Sequence, residues 1–206
     1  MLSLSKHEGE ENMTPEQVLS EFEKSGALLK GHFILSSGLH SDTFLQKALV
    51  FQDARRTAKL CKALAAKVRE EVKAEFTAIV SPAVGGIVPG YEMGRQLGLP
   101  AMYVERQDGK FRLRRGFTLA KNQTVLMVED IVTTGLSSRE CLDAIRAAGG
   151  RPVAAACLID RSGGKAKIGV KLVALAMLKI PAWEADKLPT HLRGTPAVKP
   201  GSRGLA

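Results

Sequence analysis

Thr124-Val125-Leu126-Met127-Val128-Glu129-Asp130-Ile131-Val132-Thr133-Thr134-Gly135-Leu136-Ser137-Ser138-Arg139-Glu140 is the stretch whose reading decides the fold. Residues 124–128 are apolar or β-branched and predict a short buried strand. Two adjacent carboxylates, Glu129 and Asp130, stand at its carboxyl end, a Thr-Thr-Gly turn follows, and a helix then opens. Carboxyl ends of strands are where open α/β sheets take up ligands. A helix start offers free backbone N–H groups and a positive dipole end, which together hold a phosphate. Ser137 and Glu140 have the Ser-x-x-Glu spacing of a capping box, which places the helix start independently. Acids beside a phosphate cradle make sense once a sugar lies between them. Its hydroxyls donate to the carboxylates while amides and hydroxyls donate to its phosphate. The segment reads as a ribose-5-phosphate site, against the plainer reading of a βα turn whose acids only cap and solubilise. It is neither a Walker loop nor a Gly-x-Gly-x-x-Gly turn.

The strand–helix alternation extends outward from this stretch. Upstream, Phe76–Val80 and Pro100–Val104 read as strands and Gly85–Leu97 as a helix. A long helix capped by Asp53 carries Leu60, Cys61, Leu64, Val68 and Val72 at helical spacing. Downstream, Gly149-Gly150 closes the helix, and Arg151–Asp160 and Val170–Ile180 read as strands. This rhythm predicts an α/β fold, a mostly parallel sheet flanked by helices. Ahead of it, Thr14-Pro15-Glu16 starts a helix that ends at Gly26, and strands 31–38 and 42–50 predict a pairing. The expected organisation is a polar extension over 1–13, a domain over 14–180 (small hood about 14–50, core about 51–180) and a tail over 181–206. That tail holds four prolines and three glycines without periodicity and is expected to be extended or mobile.

Composition excludes several function classes. The 206 residues are 45% hydrophobic and 25% charged, ordinary for one soluble domain. No apolar run could span a bilayer, and Met1–Asn12 is polar with three glutamates, so a cytoplasmic protein is expected. Cys61, Cys141 and Cys157 lie in apolar segments without metal spacing and read as buried thiols. The four histidines match no zinc site. A net charge of +9 invites a nucleic-acid reading, but the excess concentrates in Arg106–Arg115 and in the tail, with no helix-turn-helix or aromatic-studded strands beside it. A small polyanionic substrate accounts for it better than a polymer does.

The order strand, paired acids, Thr/Gly/Ser turn and helix resembles the ribose-phosphate loop of the type I phosphoribosyltransferases. The hood stretch Phe33–Phe51 and the Arg161 ending Leu158-Ile159-Asp160-Arg161 resemble the orotate phosphoribosyltransferases among them. The resemblance covers about residues 14–180. It implies the type I phosphoribosyltransferase fold with an N-terminal hood, and transfer of a phosphoribosyl group from its 1-diphosphate to orotate, releasing pyrophosphate. By the same resemblance, Glu129 and Asp130 hold the ribose hydroxyls, and Ile131, Val132, Thr133, Thr134, Gly135, Leu136 and Ser137 complete the phosphoribosyl diphosphate loop. Asp130 is further expected to act in catalysis. Gly85 and Gly86 occupy the turn that takes the diphosphate, where many relatives carry a Lys in place of Gly85. Thr133 and Arg161 are expected at the orotate; Arg161 also reads as a partner for Asp160. A Lys common in relatives is replaced by Ser36, and Lys47 is expected to substitute for it toward orotate. The charged loop Glu105–Gly116 corresponds to the family's mobile catalytic loop, with Arg106 and Lys110 as pyrophosphate donors. It also reads as a solvated hairpin. The resemblance further implies a homodimer sharing that loop, and Mg²⁺ held mainly through substrate rather than by protein side chains. A purine phosphoribosyltransferase and a non-catalytic phosphoribosyl-diphosphate sensor are the alternatives.

Overall fold

The computed structural model describes residues 12–35 and 37–200. Most of the N-terminal extension, Ser36 and the last six residues of the tail lie outside the described residues.

Thr14 opens helix α1 (Pro15–Lys24) with a reciprocal Thr14/Gln17 capping box. Strands β1 (Leu28–Ile34) and β2 (His40–Leu45) pair antiparallel as a separate two-stranded sheet, the hood. The second hood strand was expected to run to Val50. Instead it stops at Leu45, and Ala48–Phe51 form a short helix, α2, that buries Val50. Asp53 then caps α3 (Ala54–Glu71) by accepting from the amides of Arg55 and Arg56. Glu21 of α1 binds Arg56 and Lys59 of α3 and fixes the hood helix to the core.

The main sheet is built from β3 (Ala78–Pro82), β4 (Ala101–Gln107), β5 (Lys110–Leu113), β6 (Thr124–Val132), β7 (Arg151–Asp160) and β8 (Lys171–Met177), in the order β5-β4-β3-β6-β7-β8. Every pairing is parallel except β4–β5. Helix α4 (Ile87–Leu97) and α5 (Leu136–Ala147) are the crossovers after β3 and β6. Pro152 cannot donate to the ladder, and the β6–β7 register shifts just there, between Val125 and Leu126.

Two apolar layers cover the sheet. Leu126 and Val128 pack with α1, α3 and the hood residue Leu45. Val125 and Met127 pack with Cys141, Leu142 and Ile145 of α5. This alternation is the period-2 geometry of a strand, and it fixes which way the next two residues point. All three cysteines are buried free thiols, and burial pushes each above its ordinary value.

One expectation is corrected here and two are sharpened. Strand β6 continues through the acids to Val132, because Ile131 and Val132 keep pairing with Ile159 and Asp160. The charged loop is an antiparallel hairpin turned by Asp108 and Gly109, both at positive φ, and it extends the sheet by one edge strand. The 181–200 segment is extended but bonded to the hood. Trp183 exchanges two backbone hydrogen bonds with His40, and Val198 bridges His32 and Ile34.

Candidate active site

Strand alternation sends Glu129 and Asp130 to opposite faces of β6. Glu129 follows Val125 and Met127 toward α5, where it accepts a hydrogen bond from the buried Ser138 hydroxyl. Asp130 follows Leu126 and Val128 toward the hood. Its Oδ2 lies 2.6 Å from Lys47 Nζ, and its Oδ1 accepts from the Ile131 amide at 2.6 Å. Both acids are buried, at 7% and 2% exposure, so they are not surface groups at a strand end. Burial raises Glu129 to about 7, with the Ser138 hydrogen bond working against it and Asp130 adding to it.

The Thr133–Gly135 turn leads into α5. Gly135 takes φ +73°, and a Cβ there would meet Ile168 Cγ2 at 2.7 Å. The expected Ser137/Glu140 capping box is absent. The helix starts at Leu136, which puts Ser137 inside the first turn, and Glu140 pairs instead with Arg106 at 2.5 Å. Gly135 has no side chain to cap α5, and the Leu136 amide makes only a long 3.4 Å bond to the Thr134 hydroxyl, so the helix start can still receive an anion. Thr133 and Thr134 are exposed beside them.

A cleft of about 410 Å³ joins Glu129, Thr133, Thr134, Ser137, Lys47 and Arg161. Phe44 of the hood forms part of its wall. Arg161 follows β7, anchored by its amide to the Val132 carbonyl. Asp160 instead accepts from the amides of Ser162 and Gly164. The buried Nε of Arg161 has no hydrogen-bond partner among the described residues, and burial lowers its pKa. A desolvated guanidinium of this kind favours an anionic ligand.

At the end of β3, Gly85 and Gly86 precede α4. A Cβ on Gly85 would lie 2.0 Å from Asp130 Oδ2 and 2.9 Å from Lys47 Nζ, so this turn abuts the acid face directly. The hairpin residues are not brought to the cleft. Arg106 holds Glu140, donates to the Gly109 carbonyl at 2.7 Å and lies over the Phe111 ring at 4.3 Å. Lys110 lines a different cleft of about 460 Å³ between β5 and α5. Sequence reasoning missed Ser138 and the Lys47–Asp130 pair. The strand period could have pointed to the first; the second joins residues far apart in sequence and had no local signal.

Residues 50–176 match the family model described as the phosphoribosyl transferase domain. The orotate phosphoribosyltransferase of Parvibaculum lavamentivorans is 67% identical over 94% of this chain and all of its own length. The chain belongs to the orotate phosphoribosyltransferase family. The family member from Maricaulis maris is 63% identical, over 94% of this chain and its own full length. The crystal structure of orotate phosphoribosyltransferase from Aeropyrum pernix superposes with a TM-score of 0.65 at 28% identity, covering 79% of this chain and 94% of that one. The family's fold is the one described above, and the matched region holds the acid strand, the Gly85-Gly86 turn and Arg161.

Proposed function

We propose that this chain transfers the phosphoribosyl group of 5-phosphoribosyl 1-diphosphate to orotate, giving orotidine 5′-monophosphate and pyrophosphate in pyrimidine synthesis. The observation that carries the choice of base is Arg161, a half-buried side chain whose buried Nε has no partner among the described residues, across the same cleft as Glu129 and the start of α5.

In this reading the 5-phosphate rests on the amides and hydroxyls of Thr133–Ser137, and the ribose hydroxyls donate to Glu129 and Asp130. Thr133 and Arg161 orient orotate, the guanidinium pairing with its carboxylate. Orotate is already an anion at neutral pH, so attack on C1 of the sugar demands no strong protein base. As the C1–O bond opens, negative charge gathers on the departing diphosphate, and cations aimed there lower the barrier.

The carboxylates also bear on Mg²⁺. Among the described residues no cluster of three or more ligating side chains could cage a metal, but two buried carboxylates suit an ion that arrives with its phosphates. Such an ion would neutralise charge on the diphosphate. Glu129 and Asp130 would hold it only through the ribose.

A homodimer fits two further features. Val84, Val88 and Tyr91 are exposed apolar residues next to the Gly85-Gly86 turn, and Arg106 and Lys110 lie away from their own chain's cleft. A partner's hairpin would supply them. Three free buried thiols accord with a cytoplasmic setting, and no described helix is long and apolar enough to cross a membrane.

The test is orotate consumption, followed by ultraviolet absorbance, with phosphoribosyl diphosphate and Mg²⁺ beside adenine, guanine, hypoxanthine and uracil controls. Loss of orotate alone is expected. Turnover of a purine would reverse the substrate reading, and diphosphate binding without turnover of any base would point to a sensor.

A further inference from the structure

We propose that Lys47 is a diphosphate-binding residue, held on Asp130 until substrate arrives and then handed to the leaving group. The inference rests on the reaction read above and moves Lys47 from the orotate to the opposite end of the site.

Three observations lead there. First, the Lys47 ammonium touches two parts of the site at once. It is 2.6 Å from Asp130 Oδ2 and 2.9 Å from the point where a Cβ of Gly85 would stand. An anion cradled by the Gly85-Gly86 turn therefore arrives beside this ammonium. Secondly, Ser81-Pro82-Ala83-Val84-Gly85-Gly86 contains no basic residue, so the turn offers backbone and space but no charge of its own. Arg106, the nearest basic residue on the neighbouring strand's extension, is committed to Glu140, the Gly109 carbonyl and Phe111. Thirdly, both Asp130 oxygens already have a partner, Oδ1 the Ile131 amide and Oδ2 the Lys47 ammonium, so a ribose hydroxyl arriving at Oδ2 competes with Lys47 for it. That competition loosens the ammonium as substrate enters. Its side chain is 43% exposed on a flexible stem, so it can turn a short way toward the turn while Asp130 stays buried.

The exchange has a mechanistic consequence. Ribose hydroxyls replace an ion pair on Asp130, and the freed cation meets a diphosphate that becomes more negative as C1–O breaks, which is when its charge stabilises most.

The experiment compares Lys47→Met, Lys47→Arg and the unsubstituted protein. Isothermal titration with pyrophosphate in the presence of Mg²⁺ runs beside steady-state kinetics in both substrates. Lys47→Met is expected to weaken pyrophosphate binding by roughly tenfold or more, the scale of a lost charge-assisted contact. KM for phosphoribosyl diphosphate should rise in parallel, kcat should fall, and KM for orotate should move little. Lys47→Arg should restore part of the pyrophosphate affinity. A rise confined to KM for orotate would place Lys47 at the base and overturn the inference. Unchanged pyrophosphate affinity with a lowered melting temperature would make it a strut between hood and core, and overturn it equally. If the unsubstituted protein binds pyrophosphate but consumes no orotate, the binding comparison still decides Lys47 while the reaction assignment alone fails.

Discussion

Glu129 shows how one residue can carry cost and function together. Its carboxyl is raised from 4.5 to about 7, chiefly by burial, while Ser138 pulls the other way. The folded state therefore binds this proton more tightly than the unfolded chain does. The resulting stability is fully present below pH 4.5 and is lost as pH rises through about 7, on the order of 3 kcal/mol in all. Ribose binding runs in the other direction, because an ionised carboxylate is the better acceptor of hydroxyls. kcat/KM for phosphoribosyl diphosphate should thus climb through neutrality. Ser138→Ala removes a hydrogen bond to the ionised form, so the acid limb should move to higher pH, with a several-fold loss at pH 7 largely recovered near pH 9. Glu129→Gln should flatten that limb, lower activity at every pH, and unfold at equal or higher urea than the unsubstituted protein at pH 8.5. An acid limb that stays put in Ser138→Ala would remove Glu129 from the titration. Asp130→Asn should keep the Ile131 amide contact and most of the stability but lose turnover. The expectation rests on its ion pair with Lys47 and its proposed hold on the ribose, not on exposure, since the residue is buried.

At the scale of elements, the turn after β3 and the helix it starts separate stability from activity in two nearby glycines. A methyl at Gly90 would lie 1.9 Å from Ser81 Oγ and 2.8 Å from Ser81 Cβ. The hydroxyl can rotate away, but the Cβ belongs to a buried central strand, so α4 must shift. Gly90→Ala should cost about 1–3 kcal/mol in chemical denaturation, the usual penalty of overpacking. At Gly85 the obstructing atoms are all side-chain atoms, Asp130 Oδ2 and Cγ and Lys47 Nζ, so a methyl there displaces the Asp130–Lys47 pair rather than backbone. Gly85→Ala should therefore hold stability to within ~1 kcal/mol while reducing kcat/KM about tenfold or more, the effect of one displaced charge-assisted contact. Equal stability losses in the two variants would mean that the turn is only a packing element. The alternation that located β3, β6, β7 and their helices was legible because fully buried parallel strands are continuous apolar runs. The acid strand, its turn and the position of Arg161 were legible for the same reason. The β4–β5 hairpin was obscured by its charge. Arg106 and Phe111 stack on each other and Arg115 pairs with Glu105, so residues that read as solvated are holding an edge strand. The capping box failed because a left-handed Gly135 starts α5 one residue before the serine that matched the pattern.

Across the whole molecule, the hood is the part that the main sheet does not hold. Among the described residues its two strands form a sheet with each other and with no strand of the main sheet, and an isolated pair of strands is marginal in water. The tail closes the gap from outside. Trp183 and Val198 bond to opposite strands of the hood, Ser41 donates to the Pro181 carbonyl at 2.8 Å, and His32 Nδ1 meets Thr195 Oγ1 at 2.9 Å. None of these contacts is local in sequence, which is why a segment rich in proline and glycine gave no sign of them. Since Phe44 and Lys47 reach the cleft from the hood, the tail acts on the site at one remove. Deleting residues 181–206 should leave the α/β core folded and release the hood. Hydrogen–deuterium exchange is the direct measurement. Amides of Ile34 and His40, which donate to the tail, should lose protection by tenfold or more, while those of β3, β6 and β7 keep theirs, because local opening and global unfolding are separate processes. Turnover should fall with KM rising for both substrates, since one wall of the cleft loosens as a unit. Loss of protection throughout β6 and β7 would make the tail a support for the entire fold. Unchanged protection at Ile34 and His40 would show that the hood stands on its packing against α1 and α3 alone.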